Sequence, residues 1–307
     1  MIRFTATRIS DEIMSLLNGR ANGRVHSVFE SAMNLQVSDE LITLLSAERS
    51  LQPRSIVLAE AISFSEMGFR ANDVVCITPD GIQVGGCAMV HTRDAKGVSL
   101  EMPSCGTGID SLAYHGRLQV LEVAISQSRE MAEGLAPVLC HLFPHLHFHV
   151  EHNVWSDFLM ERIRRLYEVL CGCDVDACPE VGRAIAGCGP GLTPSSDDFL
   201  VGVFAALYGA AAAGKLDGTI ATNLCNQLSA GAASQTGIIS ANFLKSGAQG
   251  NFGEDIINLV SSFFTPNTQN ADLMELATRL CTKGSTSGLD TLVGIWFGLT
   301  ACARMDV

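Results

Sequence analysis

The spacing of apolar residues changes near Ser104, and that change constrains the fold more than any other feature of the chain. From about Ile2 to Met102 the apolar runs are short and are separated by turn residues. SIVLAEAI (55–62) is one such run, and DVVCI (73–77), TPDG (78–81) and IQVGGCAMV (82–90) read together as a hairpin. Pro79, Asp80 and Gly81 supply its turn, and the Gly85–Gly86 pair marks a bulge. GRVHSVFESAMNLQV (23–37) reads as a second strand pair, with helix as the alternative. Beyond Ser104, LQVLEVAISQSREMAEGLAPVL (118–139) and WSDFLMERIRRLYEVL (155–170) carry apolar residues at three- and four-residue spacing, the signature of a helix with one buried stripe. Further helices are expected over 198–213, about 219–231, 236–247, 253–264, 271–282 and 290–303. The fold class expected is α+β, with a β-rich N-terminal domain (1–110) followed by a mainly α-helical C-terminal domain (111–307).

Charge and composition narrow the partners. A formal net charge of −12 repels a phosphate backbone, and no basic run interleaved with aromatics opposes it, so nucleic acid is not an expected partner. The opening residues lack a continuous apolar core of the secretory type, and the longest apolar stretch, Phe199 to Gly214, is short for a membrane span. A cytoplasmic protein is expected. Its eleven cysteines read as reduced, mostly buried thiols rather than a disulfide framework. Hydrophobic residues at 47%, charged residues at only 17% and 29 glycines point to close helix packing and to an oligomer or complex.

The chemistry gathers in GCGPGLTPSSDDFLVGVFAAL (187–207). Placing DDFLVGVFAAL (197–207) over LDTLVGIWFGL (289–299) aligns Asp198 with Asp290, Leu200 with Leu292, Val201 with Val293 and Gly202 with Gly294. Both segments follow loops rich in Gly, Thr and Ser. A helix start presents unsatisfied N–H groups that favour an anion, and glycines let backbone approach a ligand. The competing reading is structural: Ser195 and Asp198 fit a capping box, and acids suit a first helical turn with or without a ligand. The crowding of Thr193, Ser195, Ser196, Asp197 and Asp198, echoed by Asp290 behind STSG, exceeds what one cap requires. No Lys-Ser/Thr pair follows the glycines, which excludes a Walker phosphate loop. Carboxylates beside donor-rich loops suit a carbamoyl or amide group, whose N–H faces Asp while its oxygen faces donors, or a bridging divalent cation.

Three blocks, GCGPGLTPSSDDFLVG, TGIISANFLKSGAQGNF (236–252) and GSTSGLDTLVGIWFGL (284–299), resemble in order and spacing the AllH-like family, as does the N-terminal GRVHSVFESAMNLQV. The resemblance implies one subunit of a three-subunit oxamate carbamoyltransferase acting in anaerobic allantoin breakdown. There, phosphorolysis of oxalurate gives oxamate and carbamoyl phosphate. It also implies two partners, an FdrA-like subunit and a second carbamoyltransferase subunit. On that reading Asp197, Asp198 and Asp290 are the catalytic candidates, holding or deprotonating the amide nitrogen. Thr193, Ser195, Thr286 and Ser287 would serve the oxygen side, with backbone amides of the glycine loops. The substrate-binding set also takes in Gly189, Gly191, Ser196, Thr236, Ser240, Lys245 and Gly288, and Lys283 is a further candidate for an anionic group. No cofactor is expected, a divalent cation being the one alternative.

Three other constellations rank lower. CHLFPHLHFHVEH (140–152) holds His141, His145, His147, His149 and His152, which could ligate zinc as strand or helix but read better as a structural or interfacial cluster. Cys171, Cys173 and Cys178 lack zinc-ribbon spacing and read as loop thiols. Cys105 and His115 form the weakest candidate, a nucleophile and base that nothing brings together.

Overall fold

In the N-terminal third, turn chemistry fixes the hairpins locally, and pairings between strands distant in sequence join them into one closed sheet. The structure, a computed structural model, describes residues 1–307 apart from Thr107, His147, His149, Asp306 and Val307. It divides into two compact units, Met1–Leu100 and Glu101–Val307, with the strand-rich region preceding the helical one. The expected α+β class is what the chain adopts.

The first unit is a β-barrel. Its strands are β1 (Ile2–Ser10), β2 (Ala21–Val28), β3 (Ala32–Val37), β4 (Glu40–Leu45), β5 (Ser55–Leu58), β6 (Val74–Thr78), β7 (Gly81–Val84), β8 (Ala88–His91) and β9 (Lys96–Val98). A one-turn helix, α1 (Met14–Leu17), follows β1. The sheet order is β5-β4-β3-β2-β6-β7-β8-β1-β9, and antiparallel pairing of β1 with β5 closes the ring. Closure leaves β1 to β8 without a free edge. Inside lie Phe4, Leu35, Ile42, Ile56, Val75 and Ile82, all buried. The 23–37 strand pair and the turn at 78–81 stand as expected. The Gly85–Gly86 pair corrects a reading: it is a turn joining β7 to β8, with both residues at positive φ (60° and 68°), a conformation glycine adopts without penalty. The run 82–90 is therefore two strands, not one bulged strand.

The second unit holds ten helices among the described residues. They are α2 (Ser111–Gln127), α3 (Ala136–Leu142), α4 (Val154–Cys171), α5 (Cys178–Ile185), α6 (Ser195–Ala212), α7 (Gly218–Ala232), α8 (Ile238–Ala248), α9 (Glu254–Phe264), α10 (Asn270–Cys281) and α11 (Ser287–Cys302). The helix expected across 118–139 is broken into α2 and α3. Ser128 turns out of α2 in extended conformation, and Pro137 sits in the first turn of α3, where its missing N–H costs nothing. Arg117 on α2 is buried, and its guanidinium donates to the carbonyls of Phe263 (2.6 Å), Pro266 and Thr268 (both 3.0 Å), closing the C-terminal end of α9.

The centre of this unit is the pair α6 and α11. Both are apolar on nearly every face and buried almost throughout. A Cβ placed on Gly202 would lie 2.1 Å from the Thr291 carbonyl oxygen, and one on Gly294 would lie 2.0 Å from that of Phe199. Only glycine permits such an approach. With Asp290 placed over Asp198, Gly294 matches Gly202 and Thr291 matches Phe199, so the two contacts are one contact read in both directions. The helices run side by side in the same sense, related by an approximate two-fold axis, with their first turns adjacent.

Candidate functional site

The polar residues that open α6 do not cap α6. Its N-cap is Pro194, which makes no side-chain cap bond, and the amides of Asp197 and Asp198 close onto the Pro194 carbonyl. The Ser195/Asp198 capping box is therefore not formed. Nor does Thr286, the N-cap of α11, make a side-chain cap bond. The hydroxyls and carboxylates reach instead to neighbouring segments.

Asp197 is a clamp. Its carboxylate accepts the Gly187 N–H (2.8 Å), the Thr236 hydroxyl and, more weakly, the Ser196 hydroxyl (3.4 Å). Burial raises its carboxyl above the usual range, and the hydroxyls of Thr236, Ser240 and Ser196 together with the Gly187 N–H pull the other way. The loop it holds folds back on the helix: Cys188 N–H donates to Ser196 Oγ (2.9 Å), and Ser196 N–H to the Cys188 carbonyl (3.0 Å). Gly189, at φ 136°, packs so tightly that a Cβ would lie 2.3 Å from Ser195 N. The Ser240 hydroxyl reaches the Leu192 carbonyl at 3.5 Å, which brings the first turn of α8 to the same loop.

Asp198 and Asp290 sit on either side of the two-fold. Asp198 Oδ2 accepts the Ser287 hydroxyl at 2.6 Å. Asp198 is only partly exposed and is hemmed in by protein atoms. Burial raises its carboxyl well above the usual range; the Ser287 and Thr193 hydroxyls oppose this, and the charges of Asp290 and Asp197 add to it. Asp290 is fully buried. Its Oδ1 accepts the Leu135 N–H at 2.7 Å, at the start of α3, while Oδ2 has no hydrogen-bond partner. Burial pushes its carboxyl up to about 6. The nearby Ser195 and Thr286 hydroxyls favour the charged form without completing a bond to Oδ2. These two hydroxyls are 3.5 Å apart.

The structure thus brings together Asp197, Asp198, Asp290, Thr193, Ser195, Ser196, Thr236, Ser240, Thr286 and Ser287. Other candidates stand apart. Gly288 packs under the end of α10, where a Cβ would meet the Leu280 carbonyl oxygen at 1.9 Å. Gly191, at φ 84°, has open space where a side chain would be. Lys245 lies in the last turn of α8, where a cation offsets the helix dipole, and lines a separate cavity of about 450 Å³ with Asn226, Ser229 and Gln249. Lys283 pairs with Asp255 at 3.2 Å.

Sequence reasoning missed the far side of the site. Gly134 lies against Asp290, where a Cβ would be 2.3 Å from Oδ1. Asn153 holds the carbonyls of Ala132 (2.9 Å) and Gly134 (2.8 Å) while capping α4. The available signal was the Gly134–Pro137 spacing and the Asn153–Ser156 capping box. Arg162 on α4 was missed as well. Its guanidinium lies 3.8 Å over the Phe158 ring, and its charge lowers the Cys188 thiol against the dominant upward push of burial. Asp217 caps α7 by accepting the N–H groups of Thr219 (2.8 Å) and Ile220 (3.1 Å).

Among the lower-ranked constellations, His147 and His149 lie outside the described residues. His152 pairs with Asp157 at 2.9 Å, and the rings of His141 and His152 meet edge to face. Among the described residues no group of three or more His, Cys, Asp or Glu side chains is placed to hold a metal ion. Cys171 ends α4 and Cys178 begins α5, so these two are helix-end thiols, while Cys173, in the turn after α4, is a loop thiol as expected. Cys105 donates to the Pro103 carbonyl and is raised by burial, while His115 Nδ1 is engaged with the Ser111 carbonyl at 2.7 Å. No helix of the described residues is long and apolar enough to cross a membrane.

Comparison with known families places this geometry in context. Residues 185–299, which contain the clamp loop, α6 and α11 up to Leu299, match the family described as oxamate carbamoyltransferase subunit AllH. Residues 5–97, the barrel, match the AllH family N-terminal domain. No solved structure matches the chain.

Proposed function

The chain belongs to the AllH family, and from that membership we propose that it forms part of the carbamoyl-transfer site of a multi-subunit carbamoyltransferase. The observation that carries this reading is the meeting of three segments distant in sequence, 187–198, 236–240 and 284–290, through Asp197, Asp198 and Asp290. A carbamoyl group presents N–H donors and an oxygen that gains charge during transfer. Asp198, the partly exposed carboxyl, would face the nitrogen. The hydroxyls of Thr193 and Ser287 would face the oxygen. Oxalurate and phosphate, giving oxamate and carbamoyl phosphate, are the reactants this reading names, and an FdrA-like chain and a second transferase chain are its partners.

The test is co-expression with those two chains, followed by a phosphate-dependent assay of carbamoyl transfer. Asp198→Asn should assemble normally and lose about tenfold or more of turnover, the loss expected when a carboxyl that bonds the reacting nitrogen in a shielded site is replaced by an amide. Full turnover in the variant overturns the reading.

A second reading is favoured by a specific observation: Asp197 and Asp290 spend their bonds on Gly187, Thr236 and Leu135. On that reading the network is a scaffold, and the chain is a non-catalytic assembly or ligand-binding subunit. Unchanged turnover together with a changed affinity for the small ligand would identify it.

A further inference from the structure

α6 and α11 touch backbone to backbone at Gly202 and Gly294, which forces their first turns together. There each aspartate faces the opening serine of the other helix: Asp198 receives the Ser287 hydroxyl at 2.6 Å, and Asp290 lies beside Ser195. The two carboxyls repel each other in a place with little water, and their support is unequal. Asp290, fully buried, has the Leu135 N–H and two hydroxyls to favour a charge, yet its Oδ2 has no partner. Asp198 has the Ser287 and Thr193 hydroxyls but faces two carboxyls, Asp290 from α11 and Asp197 from its own helix. Two like charges so placed do not both ionise readily.

We propose that Asp198 and Asp290 hold one proton between them, carried on Asp198 with the charge on Asp290, and that Asp198 is the acid that protonates the nitrogen leaving group of a carbamoyl donor. The proposal rests on the carbamoyl-transfer reading of the same site. A protonated oxyanion, hydrogen phosphate in that reading, forms the new bond to the carbamoyl carbon. The carbon–nitrogen bond breaks and its electron pair goes to nitrogen, which takes the Asp198 proton. The proton of the hydrogen phosphate then restores Asp198, so one N–H is made for each O–H lost. Asp290 acts as a positioning residue: its charge keeps the proton on Asp198. Burial raises both carboxyls.

Infrared titration of the full-length chain without substrate tests the pair. At neutral pH the protein should show a protonated carboxyl that is absent from Asp198→Asn. In Asp290→Asn the midpoint of that carboxyl should fall by about one pH unit or more, a tenfold change in its acid constant, because the like charge is gone. In Ser287→Ala it should rise, because the hydroxyl that favours the charged form is gone. If Asp290→Asn does not fold, the direction seen in Ser287→Ala decides. No carboxyl signal lost in Asp198→Asn, or a midpoint that stays put or moves the opposite way in either variant, overturns the proposal. The titration needs no turnover, so an intact titration in a complex without carbamoyl transfer would sink the functional reading alone. Transfer without the titration would sink the pair alone.

Discussion

Gly202 and Gly294 occupy equivalent places on two helices, each with the backbone of the other helix where its own side chain would be. Alanine at either position must push α6 and α11 apart. Overpacking of this kind costs about 1–3 kcal/mol, and more where the obstacle is backbone, so Gly202→Ala and Gly294→Ala should each lower the urea midpoint clearly. The double variant should cost less than the sum, because the first alanine already opens the contact the second would strain.

Asp290 gives the protein a pH dependence of defined sign. Its carboxyl is raised from 3.8 to about 6 in the folded state. The folded chain therefore binds this proton more tightly than the unfolded chain. The resulting stability is fully present below the unfolded value and is lost as pH rises through about 6, a contribution of roughly 3 kcal/mol for a shift near two units. Asp290→Asn keeps an acceptor for the Leu135 N–H and cannot ionise. Its urea midpoint should change less than that of the unaltered protein between about pH 4 and about pH 7.

Asp197 predicts a local loosening. Asp197→Ala strands the Gly187 N–H and the Thr236 hydroxyl, each formerly bonded to the carboxylate. Both donors are only part-buried, so each costs less than the about 1–3 kcal/mol of a fully buried unsatisfied donor. Hydrogen exchange should accelerate at Gly187 and across the loop to Leu192 more than in the helices beyond it. Uniform acceleration throughout the helical unit would contradict the clamp.

Arg117→Lys should not be conservative. One guanidinium reaches three carbonyls at the end of α9 with a fork that a single ammonium does not reproduce. A loss of about 2 kcal/mol or more is expected, readable as a lower melting temperature, from carbonyls and a buried cation left partly unpaired.

Much of the fold was legible because its signals are local. TPDG specifies the turn between β6 and β7, and the spacing of apolar residues locates α4 and α6 to α11 to within a few residues. The Gly85–Gly86 turn was misread because a glycine pair inside an apolar run signals a bulge and a tight turn equally well. The break between α2 and α3 was missed because the apolar spacing continues through it. The closure of the barrel rests on β1 meeting β5, which no local pattern announces. For the candidate site, the excess of hydroxyls and carboxylates marked loops that the structure brings together. The capping alternative was wrong in its particulars: Ser195 and Asp198 belong to the same helix, yet their partners lie on α11. Gly134 and Asn153 escaped notice because their role depends on Asp290, far along the chain.

The contact between Asp198 and Ser287 also sets an order of events. Eighty-nine residues separate the two partners, and closing so long a loop is slow compared with forming the helices inside it. On the ribosome, α6 exists for some time as an apolar rod without its mate, its aspartates facing water. Only when α11 emerges can the glycine seam zip shut and the carboxyls be drawn inward. The arrival of α11 is thus the moment at which a hydrophobic nascent segment becomes both hidden and chemically organised, and a chain stopped short of it would be left with that surface bare.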